Sequence, residues 1–249
     1  MPANSKRMID PLDWIYPPIC EVCGCGLSKG RALCESCFAD LPRIVSPFCG
    51  VCGESFQGQI DGAFDCPNCK EVSFNFEFAL AALDRSDEAL ELVHRLKYGR
   101  ELHLAGELGR LASRALDDRR FSVAIAEKWP LVPVPLHLSR HRERQFNQAE
   151  EISLSISKEA ELPVGNLLKR VRRTVTQTRL SRKQRMDNLK GAFAIRRGWF
   201  TKNPITSLEA SGVILVDDVF TTGSTVDACA KVLRKAGVKR VAVLTVLRG

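Results

Sequence analysis

Val213-Ile-Leu-Val-Asp-Asp-Val-Phe-Thr-Thr-Gly-Ser-Thr225 joins an aliphatic run to two adjacent acids and a short loop rich in hydroxyls. The run Val213 to Val216 reads as a buried strand, and a helix follows over 224–236, stopping at Gly237. A strand that brings acids to its carboxyl end before turning into a helix is how open parallel sheets present ligand sites. The loop has the parts of an anion cradle. Gly223 lets the backbone come close, Thr221, Thr222, Ser224 and Thr225 supply hydroxyls, and the helix start aims N–H groups and a positive dipole end at the same spot. No Gly-Lys-Ser/Thr is present, which removes the nucleoside-triphosphate P-loop. Paired carboxylates suit paired ribose hydroxyls, so the run Val216, Asp217, Asp218 to Thr225 reads as a ribose 5-phosphate site.

Outward from this stretch, strands and helices alternate. Phe78 to Leu83 reads as a buried strand, and Ser86 with Asp87 and Glu88 as the capped start of a helix. A second helix fits 101–117, with Leu104, Leu108, Leu111 and Ala115 on one face. Pro130 to Pro135 is a short proline-bounded strand, a helix runs from near Phe146 toward Ala160, and Ala192 to Ile195 and Arg240 to Leu247 are further strands. The pattern predicts an α/β domain with a mostly parallel sheet covered by helices on both faces. Residues 170–190 have little apolar period and read as an exposed loop.

Residues 1–76 differ from the rest. They are rich in Cys, Gly and Pro, with too few apolar residues to fold unaided. Nine of the ten cysteines precede residue 70, and eight form the pairs Cys20/Cys23, Cys34/Cys37, Cys49/Cys52 and Cys66/Cys69. Without a secretory signal, these spacings indicate two closed structural Zn²⁺ sites and not disulfides. Cys25 has no partner in this scheme, and Cys229 reads as a small buried hydrophobe. The chain of 249 residues thus divides into a zinc-ribbon module, 1–76, and a larger domain, 77–249. No apolar run approaches the roughly 20 residues that span a bilayer, so a cytoplasmic protein without membrane insertion is expected.

Further segments carry a family resemblance. The stretch from Val213 to Thr225 resembles the phosphoribosyl pyrophosphate (PRPP) signature of type I phosphoribosyltransferases. Pro133 to His137, with Arg140, Arg144, Phe146, Asn147, Gln148 and Glu150, is similar to the central motif of ComF-type competence proteins. So is Arg173 to Gln177 with Leu180, Ser181, Arg185, Asn188 and Gly191 to Phe193. The resemblance implies that Asp217 and Asp218 hold the ribose hydroxyls and act at the reacting sugar, that Thr221 to Thr225 hold the 5′-phosphate, and that Mg²⁺ accompanies the pyrophosphate. It implies a flap at 170–190 and, by analogy, a DNA-translocating helicase of the uptake machinery as partner. Lys97, Tyr98 and Arg100 fit the family pattern without an evident role. Gln145 stands where the family usually has glycine.

Charge supplies a second expectation. Residues 137–200 hold 15 basic and 6 acidic side chains, an excess suited to single-stranded DNA. The expected footprint is Arg140, Arg142, Arg144, Lys169, Arg170, Arg172, Arg173, Arg179, Arg182, Lys183 and Arg185. Three functions compete: a ComF-type protein binding PRPP or a nucleoside monophosphate in the use of imported DNA, a nucleobase phosphoribosyltransferase of salvage, and a DNA-binding module with a vestigial site. No base pocket is legible in the sequence.

Overall fold

The computed structural model describes residues 17–56, 58, 64–174, 184, 188–196 and 211–249. They form two compact units, one ending at Leu41 and the other beginning at Pro42. In the smaller, Cys20 begins a knuckle closed by Gly24 N–H donating to the Cys20 carbonyl at 2.8 Å, with Gly24 at φ 73°. Cys34 then caps helix α1 (Glu35–Asp40), its sulfur accepting from the Cys37 N–H.

The larger unit opens with the second pair of knuckles, the latter carrying helix α2 (Pro67–Lys70). Composition divides the chain near residue 76, but packing assigns this second cysteine group to the larger unit. Cys49, Cys52, Cys66 and Cys69 share one core with Phe76, Val213, Leu215 and Phe220.

Strand β1 (Phe78–Leu83) is followed by helix α3 (Asp87–His94), whose Ser86 cap accepts from Ala89 N–H, and by a π-turn over Arg95–Gly99. Helices α4 (Leu104–Arg114) and α5 (Ser122–Ala126) lead into strand β2 (Leu131–Pro133). Helices α6 (Leu138–Arg144) and α7 (Gln148–Ala160) follow. Strands β3 (Leu168–Arg170), β4 (Phe193–Ile195) and β5 (Gly212–Phe220), helix α8 (Ser224–Lys235) and strand β6 (Arg240–Arg248) complete it.

The main sheet is parallel throughout, in the order β1-β6-β5-β2. Val213 and Leu215 of β5 with Val241 and Val243 of β6 face Val226, Cys229, Ala230 and Leu233 of α8. The alternate residues Ile214, Val216, Ala242 and Leu244 are equally buried on the other face, covered by α4 and α7. Those two helices approach closely, since a Cβ on Gly109 would stand 2.3 Å from Ser155 Cβ.

Three details differ from the sequence reading. The strand at 193–195 does not join the parallel sheet but pairs antiparallel with β3, Leu168 opposite Ile195. Helix α6 was not foreseen, because Leu-Ser-Arg-His-Arg-Glu-Arg lacks an apolar period; it forms behind a cap in which His137 Nδ1 accepts from Ser139 N–H at 3.2 Å. The expected helix over 101–117 ends as a 3₁₀ turn over Ala115–Asp117. No described helix is long and apolar enough to cross a membrane.

Candidate functional site

Strand β5 continues through both acids to Phe220 because β6 continues beside it, Asp217 opposite Thr245 and Phe220 opposite Arg248. The acids therefore lie within the strand and not at its end. Successive strand residues face opposite ways. Asp217 follows Val213 and Leu215 toward α8, while Asp218 faces Lys97, whose Nζ lies 2.9 Å from its Oδ1. The role of Lys97, opaque in the sequence, is to neutralise one of two adjacent carboxylates.

Burial pushes the Asp217 carboxyl up to about 7, and the neighbouring Asp218 charge adds to it. Lys97, the Asp218 N–H and Arg170 pull the other way. Asp218 N–H donates to Asp217 Oδ1 at 2.9 Å.

After Phe220 the chain turns through Thr221 and Thr222 to Gly223, which has φ 75° and caps α8. A Cβ there would lie 2.8 Å from the Phe220 ring, so glycine is required by conformation and by space. Thr222 Oγ1 and Ser224 Oγ share a hydrogen bond of 2.9 Å, and no side chain caps the first N–H groups of α8. Those donors stay available to an anion.

Asp217, Asp218, Thr221 and Thr225 line a cleft of about 370 Å³ together with Arg140, Arg144 and Arg170. The Arg170 guanidinium lies 5.3 Å over the Phe193 ring and its Nη2 meets Thr174 Oγ1. Burial and the nearby Arg140 charge both work against its own charge, a cost that an anion between them would offset. Gln148, 1% exposed, also lines the cleft, and its Nε2 has no hydrogen-bond partner within the protein. A buried unpaired donor beside an open cleft marks a position where a ligand oxygen completes the bonding.

The expected basic footprint divides. Arg140, Arg144 and Arg170 line the cleft. Arg142, Lys169, Arg172 and Arg173 are exposed, and Arg179, Arg182, Lys183 and Arg185 lie outside the described residues. Arg173 also lines a second cavity of about 780 Å³ beside the cleft, with Tyr98, Ser139, Arg140, Glu143, Arg144 and Thr174. There the 68% exposed Tyr98 ring lies 5.0 Å from the Arg144 guanidinium. Tyr98 stood out in the sequence only as part of a family pattern; its place as an aromatic plate was not legible, because the π-turn over Arg95–Gly99 that presents it has no sequence signature.

The cysteines form two clusters. Cys49, Cys52, Cys66 and Cys69 are buried with all four sulfurs within 4.8 Å of one another, Cys52 and Cys66 being 3.6 Å apart. Tetrahedral zinc with Zn–S of about 2.3 Å needs sulfurs about 3.8 Å apart, so this donor set fits the ion. Burial opposes ionisation of Cys49, but N–H groups of Cys66, Cys52 and Val51 outweigh it and hold that thiol below its ordinary value. In the first cluster, Cys20, Cys23, Cys25 and Cys34 lie mutually within 4.8 Å, and Cys23 and Cys34 are 3.8 Å apart. Cys37 adjoins Cys34, Cys23 and Cys20. Cys25, expected to lack a partner, is thus a fifth thiol of the first cluster, brought in by Cys20 N–H donating to its carbonyl at 2.7 Å. Cys229 is fully buried in the α8 core, and burial raises its thiol well above the ordinary value.

Residues 11–72 match the double zinc ribbon domain family and residues 111–249 the phosphoribosyl transferase domain family. The fold and site therefore define a phosphoribosyltransferase-domain protein preceded by a double zinc ribbon. The chain is 32% identical to Competence protein F of Haemophilus influenzae, covering 86% of this chain and 89% of the relative. It is 29% identical to the DNA utilization protein YhgH of Salmonella typhimurium, over 93% and 97%. It is 24% identical to Competence protein ComFC of Bacillus subtilis, over 85% and 81%. The chain belongs to the ComF family.

Proposed function

We propose that the cleft binds PRPP or a ribonucleoside 5′-monophosphate, and that the protein acts in DNA uptake or the use of imported DNA, as the names of its relatives indicate. One observation carries the reading: paired acids, an uncapped helix start behind Gly223 and three arginines converge on a single cleft. Asp217 and Asp218 accept from the ribose hydroxyls, while Thr221 to Thr225 hold the 5′-phosphate. Arg140, Arg144 and Arg170 face the pyrophosphate end, where Mg²⁺ bound to PRPP would arrive with its ligand.

Comparison of AMP with dAMP in equilibrium dialysis tests the diol part of this reading. Loss of one hydroxyl should weaken binding by about tenfold, the value of one charge-assisted hydrogen bond. Equal affinities would show that neither Asp217 nor Asp218 recognises the 2′-hydroxyl.

A second reading, single-stranded DNA binding, is favoured by the exposure of Arg142, Lys169, Arg172 and Arg173. It is compatible with the first, since these side chains are distinct from the three arginines inside. A DNA-translocating helicase is the partner this reading suggests. The Tyr98 cavity is the place where an acceptor base for a transferase reaction would lie.

A further inference from the structure

The second cysteine centre and the phosphate loop are joined by several independent contacts. Glu54, two residues beyond Cys52, forms an ion pair with Arg248. Arg248 is buried, and its Nη1 donates to the carbonyls of Phe220 and Thr221 at 2.9 Å each. Its guanidinium also lies 5.2 Å from the Phe220 ring centroid. The entry to the loop is therefore fixed by a side chain that the ribbon orients.

The exit is fixed from the other end of the ribbon. Asn75, six residues beyond Cys69, donates its backbone N–H to Asp227 Oδ1 at 2.6 Å. Its Nδ2 donates to both carboxylate oxygens, at 3.0 and 3.1 Å. Asp227 belongs to the first turn of α8, where a carboxylate would otherwise repel a phosphate at the helix start. The three hydrogen bonds from Asn75 hold that charge in place. Between the two ends, Phe74 and Phe76 stack with centroids 4.6 Å apart, and Phe76 meets Phe220 edge-on at 6.1 Å. Phe74 and Phe220 are the rings that close on Gly223.

We propose that the second cysteine centre is a positioning element of the ribose-phosphate site, acting through Glu54–Arg248 and Asn75–Asp227. The anion affinity of Thr221 to Thr225 then depends on the metal state of Cys49, Cys52, Cys66 and Cys69. This rests on the ribose-phosphate reading. An anion cradle made of backbone N–H groups binds well only if those groups are held in place before the ligand arrives, and here the ribbon does the holding.

The test uses the full chain with Glu54→Gln and, separately, Asn75→Ala. Hydrogen exchange, zinc content, and affinity for PRPP and for ribose 5-phosphate are measured on each. Zinc content should match wild type, and exchange at the β5 and β6 core amides should be unchanged. Amides 221–226 should exchange faster by about tenfold, and both ligands should weaken by a similar factor, as for loss of an outer-shell support. A merely structural loss of stability would speed exchange everywhere. Metal removal should reproduce the local effect and zinc addition should reverse it. Unchanged loop exchange in both variants overturns the proposal. If either variant fails to fold, the other decides. A wild-type loop protected through the ribbon in a protein that ignores PRPP would sink the ribose-phosphate reading alone, whereas tight PRPP binding with a loop indifferent to both variants would sink the coupling alone.

Discussion

Gln145 ends α6 with φ 70° and its N–H donating to the His141 carbonyl at 2.7 Å. A side chain in that left-handed conformation costs about 1 kcal/mol relative to glycine. Gln145→Gly should therefore raise the free energy of unfolding by about that amount in urea titration, without altering PRPP affinity. The departure from glycine was legible in the sequence, but its cost was not, since the helix it terminates was unforeseen. Asp217 gives a pH prediction. Its carboxyl titrates near 3.8 when unperturbed and about 7 in the fold. Across that window the native state keeps a proton that the unfolded chain has released, so its contribution to stability falls as pH rises. Asp217→Asn removes this dependence. The urea midpoint of the variant should gain on wild type between about pH 4.5 and pH 7.5, and a constant difference would show that Asp217 ionises normally.

At the scale of elements, the strand-loop-helix of β5 and α8 was readable because its residues are contiguous and each has a local reason. Gly223 shows this best: φ 75° and the rings of Phe220 and Phe74 both exclude a side chain. Gly223→Ala should cost about 1–3 kcal/mol of stability and weaken ribose 5-phosphate binding, because the strain falls on the cradle itself. Arg248 and Lys97 were not readable in their roles. Arg248 reaches the loop from the far end of β6, and Lys97 reaches Asp218 from a π-turn 121 positions earlier, so pairings of this kind depend on tertiary structure. The cysteine knuckles were plain from spacing, yet the place of Cys25 required the fold of the first knuckle. Five neighbouring thiols would leave one spare around a four-coordinate zinc ion, so neither Cys25→Ser nor Cys37→Ser alone should reduce zinc below two per chain, whereas the double variant should lose one. Elemental analysis after anaerobic purification decides this, and loss of an ion in Cys37→Ser alone would show that Cys25 is no ligand.

At the scale of the whole molecule, acids and hydroxyls from β5, the loop after it and α8 meet arginines from α6 and β3 around one cleft, and the described arginines of the expected footprint are shared between the cleft and the outer surface. The two sets separate by experiment. Replacing exposed Arg142, Arg172 and Arg173 by Ala should lower the salt slope of single-stranded DNA binding by about 2 while leaving PRPP affinity unchanged. Equal slopes would move the DNA surface elsewhere. Whether the cleft is a ribose-phosphate site is decided by calorimetric titration of the full chain with PRPP and Mg²⁺. Wild type should bind one PRPP per chain, and the double variant Asp217→Asn, Asp218→Asn should bind it weaker by about a hundredfold, the loss of two charge-assisted hydrogen bonds. Absence of heat with wild type at millimolar PRPP, or equal affinity in the double variant, would contradict it.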